Sequence, residues 1–488
     1  MRKLFYVLII TMLSVSATAE FVLSTSVKMA YSEIYSLHLN SAERWITRVE
    51  KENRSNNFIP FLRFNVAFTK IFVSEDPLLY ESLNSNLNDW IDDVKDAEDG
   101  AWKSTCLTEM YMLRSALKLK FGKNIKSGFD GIKAYNTAEE GVASYPEFKP
   151  LWLSWGLMKL AIGSVPDNYK GLISAFGYSG DIDQGLELIK GSWMYSQSEG
   201  HRYLLAKSAL IYGYTSLQLE QNWVHSITDL QVKDQLDSNN LLVYLQAKFL
   251  QEQKQTSELI QVLENREKGA EAYPFYYLDF MEGKAKVAAQ RPDAAVPFQR
   301  YLENYKGKNF IKAIHYQLAM HYLFQGNAEK ADYHKLLVFT EGNDFTGADK
   351  MALFMADRNM NETLLKAQAQ YDNAQYNRAL ETLESGKNYC QNAIDSTEMF
   401  YRLGRVHQAL GNELKAIIAY KEAVQKDFRK ATYYGANSSL QLAKMLEQKE
   451  MNASARYYYK LTLQFRNYPF QDGIQQKAKA GKRKVDKE

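Results

Sequence analysis

The sequence predicts an all-α protein built as an irregular solenoid of helical hairpins. Apolar residues recur at helical spacing along most of the chain, and no convincing run of alternating apolar and polar residues argues for a sheet. Only 9 prolines and 26 glycines interrupt 488 residues, while 33 tyrosines are spread throughout. Few helix breakers and many aromatic side chains are typical of a long chain of packed helices.

The first element is an export signal. Arg2 and Lys3 precede an apolar run over residues 4–15, and the small residues 17–19 stand directly before Glu20. This order predicts a secretory signal peptide over residues 1–19, since the apolar run is shorter than the roughly 20 residues of a membrane span. No later stretch is long and apolar enough to span a bilayer, so we expect a mature chain without a membrane span.

Residues 20–200 are expected to form an N-terminal helical domain. Helical periodicity there predicts helices over Ser26–Lys51, Leu78–Ala97, Ala101–Phe121 and Ile125–Ser144. Further on, Tyr203–Leu219 is predicted as a long amphipathic helix. Two helical hairpins follow, the first over Leu242–Glu252 and Thr256–Glu264, the second over Tyr276–Ala289 and Asp293–Tyr305.

Residues 201–470 are expected to form helical repeats, and the clearest unit is Glu398–Phe428. Small residues at Gly404 and Ala416 would let two helices approach closely, and Gly411 would end the first helix so that the chain reverses. The unit resembles a tetratricopeptide (TPR) motif at eight positions: Phe400, Leu403, Gly404, His407, Gly411, Ala416, Tyr420 and Ala423. The resemblance implies a TPR-like α-α superhelix.

Weaker copies of this unit flank it. The key alanines of these copies and of the clearest unit, Ala331, Ala379, Ala416 and Ala455, are 48, 37 and 39 residues apart, whereas TPR units repeat about every 34 residues. The copies therefore predict an unevenly curved solenoid. Residues 471–488 carry a basic cluster and are expected to be a solvated C-terminal tail.

A segment rich in turns lies between residues 163 and 185. Pro166 is suited to the first turn of a helix, and Asp181 is expected to cap the helix that follows it. The turn Gly177-Tyr178-Ser179-Gly180 is similar to one in a eukaryotic TPR family associated with mitochondrial outer membranes and inclusion bodies. Over most of its length the chain more closely resembles exported bacterial TPR proteins.

The resemblance also implies a concave groove lined by the first helix of each hairpin. The residues expected to face it are Glu398, Tyr401, Arg405 and Gln408 in the best unit, Tyr316 and Met320 in the earlier copy around Ala331, and Lys444 in the last. Tyrosine and arginine are favoured at the centres of protein interfaces. Packing between neighbouring repeats is the competing interpretation for Tyr316 and Met320.

Residue patterns for catalysis, metal binding and phosphate binding are missing from the sequence. It has no phosphate-binding glycine loop, no His-Glu-x-x-His pair and no zinc-like spacing of cysteine and histidine. The net charge of +3 falls to +1 once Arg2 and Lys3 are removed, which argues against a general nucleic-acid binder. We therefore expect no catalytic residue, no cofactor and no metal.

These observations predict a non-catalytic scaffold or adaptor of the bacterial cell envelope that binds another protein or a peptide. Its expected location is the periplasm or the periphery of the outer membrane. The alternative is a periplasmic protein that binds a glycan or peptide ligand on aromatic platforms. An enzyme with a site near residues 166–185 is the third possibility.

Overall fold

A computed structural model describes residues 20–165, 177–219, 224–358, 360–386, 390, 392–427 and 429–486. Within these ranges every regular element is a helix, which confirms the all-α prediction. The chain divides into two compact units. Unit 1 holds the described residues up to Phe72, Leu79–Gly163 and Gly180–Ser208, and unit 2 holds Val73–Leu78, the described part of 164–179, and the described residues from Ala209 onward. The predicted signal peptide and Pro166 lie outside the described residues.

The described helices of the N-terminal part follow one another along the chain, and several consecutive pairs pack together. They are α1 (Thr25–Ile34), α2 (Leu39–Glu52), α3 (Phe58–Ser74), α4 (Pro77–Lys95), α5 (Ala101–Lys120), α6 (Asn124–Ser144), α7 (Lys149–Gly163), α8 (Ile182–Ser196), a 3-10 turn (Arg202–Leu204) and α9 (Leu205–Gln218). Asp181 caps α8 as predicted, since its Oδ1 accepts a hydrogen bond from Gln184 N at 3.0 Å.

One prediction about the first helices was wrong, and one helix was missed. The single helix expected over Ser26–Lys51 is broken at Leu37, which has a φ of 62° and a fully buried side chain. Burial of Leu37 fixes a left-handed turn that the apolar pattern does not reveal. Helix α3 is absent from the predicted set because apolar residues cover most of its surface, so it has no clear polar face.

A buried ion pair lies in the core of unit 1. Lys207 Nζ contacts Glu109 Oε2 and lies 2.8 Å from the hydroxyl of Tyr31, while Tyr35 donates to Glu109 Oε1 at 3.0 Å. Both charged side chains are almost completely removed from solvent. Each charge is therefore stabilised by its partner and by tyrosine hydroxyls, and removing one partner would leave the other uncompensated.

Unit 2 continues with helical hairpins that stack in chain order. After a 3-10 turn (Lys233–Ser238) its helices are α10 (Asn240–Glu252), α11 (Thr256–Asn265), α12 (Tyr277–Ala288), α13 (Ala295–Asn304), α14 (Ile311–Phe324), α15 (Ala328–Thr340), α16 (Gly347–Ala356), α17 (Glu362–Asp372), α18 (Tyr376–Ser385), α19 (Ala393–Ala409), α20 (Glu413–Lys426), α21 (Tyr433–Gln448), α22 (Asn452–Thr462) and α23 (Gln471–Val485). None of the described helices is long and apolar enough to cross a membrane.

The α19–α20 hairpin has the close helix packing that the sequence predicted. A Cβ atom on Gly404 would lie 2.5 Å from Cδ1 of Tyr420, a ring that is fully buried. Gly411 ends α19 with a φ of 74°, a conformation that glycine adopts without steric cost. The same device recurs between α12 and α13, where a Cβ atom on Gly283 would lie 2.6 Å from the ring of Phe298.

The prediction of a solvated C-terminal tail was wrong for residues 471–486. Gln471–Val485 is the helix α23, and Ile474, Ala478 and Val485 are buried in the same hydrophobic cluster as α21 and α22. Apolar residues spaced along one face of this basic segment give it a stripe that packs on the preceding hairpin, while its lysines remain outside.

Candidate functional site

Two adjoining cavities lie in unit 2, with volumes of about 550 and about 240 Å³. We call them together the groove. They share six wall residues, which are Phe280, Lys284, Gln317, Ala348, Gln368 and Asp372. The first members of the helical hairpins, including α10, α12, α14, α17 and α19, supply most of the lining. The groove is therefore lined mainly by the first helices of successive hairpins.

Four of the predicted groove residues line these cavities. Met320 lies on the wall of the larger cavity, and Tyr316, Tyr401 and Arg405 lie on the wall of the smaller one. Met320, Tyr316 and Tyr401 are more than nine-tenths buried. They therefore serve both interpretations given from the sequence, because they pack between repeats and present part of their surface to the groove.

The other three predicted residues lie elsewhere. Glu398 is buried and paired with Arg402, which donates to its Oε1 from Nε at 2.8 Å. Gln408 Oε1 accepts a hydrogen bond from the hydroxyl of Tyr420 at 2.7 Å, in the seam of its own hairpin. Lys444 lines neither cavity. The motif offsets thus selected residues on the cavity walls at some positions and residues in the helix seam or elsewhere at others.

Tyr371, at the end of α17, has two cationic side chains close to its ring. Lys254 Nζ lies 3.2 Å from the ring centroid and donates to the carbonyl oxygen of Tyr371 at 3.1 Å. The guanidinium carbon of Arg405 lies 4.6 Å from the same centroid. Arg405 also donates to the Tyr371 hydroxyl from Nη2 at 2.9 Å and to the Tyr401 hydroxyl from Nη1 at 3.0 Å. We call Lys254, Tyr371 and Arg405 the cation clasp.

Partial burial perturbs the ammonium group of the clasp. Burial lowers the pKa of Lys254 to about 8; the charge of Asp372 opposes this shift, the charge of Arg405 contributes to it, and Glu252 opposes it. Burial also lowers the pKa of Lys248 on α10, with repulsion from Lys284 on α12 as the second cause. Cations from different hairpins therefore face one another across the larger cavity.

The lining of the groove carries an excess of positive charge. Its cationic side chains are Lys248, Lys254, Lys284, Arg402, Arg405 and Lys477, against the two carboxylates Glu252 and Asp372. Within the described part of the chain, Arg402 is paired with Glu398, but Lys248, Lys254, Lys284 and Arg405 form no ion pair with a carboxylate. An anionic ligand is therefore favoured in the groove over a cationic one.

Sequence reasoning missed the lysines of the groove and Tyr371. Lys254 lies in the turn between α10 and α11, which no repeat motif covers, and it meets Tyr371 across 117 positions of sequence. Tyr371 belongs to the weakest copy of the repeat, so its motif offset was obscured. The clasp could have been found only from information that pairs residues of distant hairpins, here Lys254 with the end of α17.

Comparison with known proteins gives no family assignment. No family model matches the chain, and no curated protein matches it. Among solved structures, the chain is similar to a human IFIT1 dimer with PPP-AAAA, with 14% identity, 96% of each chain covered and a TM-score of 0.32. It is also similar to yeast Tom70, with 12% identity, 91% of this chain and 97% of that chain covered, and a TM-score of 0.24.

Proposed function

We propose that the protein is a non-catalytic scaffold or adaptor whose groove in unit 2 binds an extended segment of another polypeptide. The observation that carries the proposal is the groove itself, a pair of adjoining cavities lined by tyrosines and by cations, of which Lys248, Lys254, Lys284 and Arg405 form no ion pair with a described carboxylate. Aromatic side chains supply large contact area at low conformational cost, and arginine supplies directed hydrogen bonds, so this lining suits a polypeptide surface.

The proposed location is the bacterial cell envelope, in the periplasm or at the periphery of the outer membrane. The support is the order of charged, apolar and small residues over positions 1–19. N-terminal sequencing of the protein purified from its native cells should begin at Glu20. A mature protein that begins at Met1 would contradict this location.

Binding of a glycan is the alternative function, and one observation argues against it. None of the described tryptophans lines either cavity, so the aromatic platforms of the groove are built from tyrosine and phenylalanine. A glycan array probed with the full mature chain provides the check. Reproducible binding to one class of glycan, abolished by obstruction of the groove, would replace the polypeptide proposal.

Obstruction of the groove tests the polypeptide proposal. Ala348 lies on the wall shared by both cavities, so Ala348→Trp should fill part of the groove. Ala328 is exposed at the start of α15 and lines neither cavity, so Ala328→Trp is the matched control. After crosslinking in cells and mass spectrometry, partners captured by the wild type should be lost with Ala348→Trp and retained with Ala328→Trp. Equal capture by all three proteins would refute a groove-bound partner.

A further inference from the structure

We propose that the cation clasp, Lys254, Tyr371 and Arg405, is a subsite for the carboxylate of an aspartate or glutamate side chain in the bound segment. This inference rests on the proposed function, because it specifies what kind of polypeptide the groove accepts. The ligand it predicts is an acidic segment with interspersed apolar or aromatic residues.

The geometry of the clasp leaves its charge available. Tyr371 offers only neutral acceptors, namely its ring face and carbonyl oxygen to Lys254 and its hydroxyl to Arg405. The second tyrosine that Arg405 contacts, Tyr401, is also a neutral acceptor. Two positive charges are therefore held close to one ring without being neutralised by a carboxylate. A carboxylate that reaches them would form charge-assisted hydrogen bonds, which are stronger than those between neutral groups.

The surroundings of the clasp favour an anion from outside the protein. The acids that face it, Asp372 and Glu252, are both exposed. Glu398, which is buried nearby, is already engaged by Arg402 and by Arg358. Across the larger cavity, Lys248 and Lys284 repel each other. A carboxylate in this region would relieve repulsion among several cations, and partial burial would make each contact stronger than in bulk water.

A purely structural role for Lys254 is the competing explanation. Its ammonium donates to a carbonyl in the last turn of α17, where a cation is favourable to the helix dipole. That role predicts that removal of the charge changes stability. It does not predict any selectivity for acidic over neutral ligands, so ligand selectivity separates the two explanations.

The test compares two fluorescent peptides by anisotropy with the full mature chain. Both are acetylated and C-terminally amidated, so that neither has a terminal carboxylate; one repeats Ser-Glu-Phe and the other repeats Ser-Gln-Phe. The wild type should bind the Glu peptide about tenfold or more tightly than the Gln peptide, the effect of one or two charge-assisted hydrogen bonds. Lys254→Gln combined with Arg405→Gln should erase that difference, and Lys254→Arg should retain most of it.

The control removes the same charge elsewhere. Lys415 and Lys421 are exposed on α20 and line neither cavity. Lys415→Gln combined with Lys421→Gln should leave the selectivity unchanged, and circular dichroism checks that both double variants are folded. If the clasp double variant is unfolded, Lys254→Gln alone should still reduce the preference for the Glu peptide.

Three results would overturn the inference. Equal binding of both peptides to the wild type would refute the carboxylate subsite while leaving a polypeptide-binding groove. Binding of neither peptide would contradict the subsite and the proposed function together. A single-stranded oligonucleotide could also displace the Glu peptide. If it binds more tightly than the peptide and its binding requires Lys254 and Arg405, the clasp is a site for nucleic-acid phosphate instead.

Discussion

Gly404 is the position where the packing of a single hairpin can be tested most sharply. Replacement by alanine would place a Cβ atom 2.5 Å from Cδ1 of Tyr420 and 2.6 Å from its Cε1. The ring is fully buried against Ala416 and Ala423 in one hydrophobic cluster, so it has little room to move. Overpacking of this kind costs about 1–3 kcal/mol, and the gain in helix propensity returns up to about 1 kcal/mol.

We therefore expect Gly404→Ala to destabilise the α19–α20 hairpin by about 2 kcal/mol, which is the upper overpacking cost of about 3 kcal/mol less the propensity gain of about 1 kcal/mol. Hydrogen exchange with mass spectrometry reports the local opening of α19 and α20, and about 2 kcal/mol corresponds to exchange that is roughly thirtyfold faster. Gly473→Ala in α23 is the control, because no atom lies within 4 Å of the added Cβ. It should slow exchange slightly or leave it unchanged.

Combination with Tyr420→Leu separates the clash from a general effect. The smaller side chain makes room for the new methyl group, so Gly404→Ala should cost less in the Tyr420→Leu background than in the wild type. Equal costs in both backgrounds, or exchange in α19 that does not accelerate with Gly404→Ala alone, would refute the close-packing argument.

Three further predictions concern buried charges and pH. Lys207→Met should destabilise unit 1 by about 3–5 kcal/mol in urea unfolding, because Glu109 is left buried and unpaired, and Glu109→Gln in the same chain should recover part of the loss. Burial, His334 and Lys312 lower the pKa of His315 to about 4. Stability should therefore fall as the pH drops from about 6.5 to about 4, since the unfolded chain binds the proton first, and His315→Gln should flatten that dependence; an unchanged profile would contradict it. The affinity for the Glu peptide should fall as the pH rises through about 8, where Lys254 loses its charge, and Lys254→Arg should remove this decline.

The local features of the fold could be predicted from the sequence because they are set by nearby residues. Gly404, Gly411 and Tyr420 lie within one hairpin, and each contributes through its own size or backbone freedom. The capping role of Asp181 is equally local, because its hydrogen-bond partner is three residues away. In contrast, the break at Leu37 depends on a core that accepts its side chain, and no pattern within the segment describes that core.

The candidate site could be predicted only in part, for the same physical reason. Motif offsets indicate which face of a helix points inward, and Tyr316, Met320, Tyr401 and Arg405 lie on the walls of the cavities, although their role in partner binding stays a prediction. The offsets do not state which hairpins meet across the groove. The contact of Lys254 with Tyr371 joins hairpins 117 positions apart in the sequence, and irregular repeat lengths leave such pairings undetermined.

The central claim is that the groove of unit 2 is the surface that holds a partner. A photo-crosslinking amino acid at Gln317, on the wall shared by both cavities, tests it most directly, with the same substitution at Tyr457 as the control. The side chain of Tyr457 is 60% exposed and lines neither cavity. In native cells, position 317 should give a discrete crosslinked product that position 457 does not give. Crosslinks from position 457 alone, or the same products from both positions, would contradict a groove-bound partner.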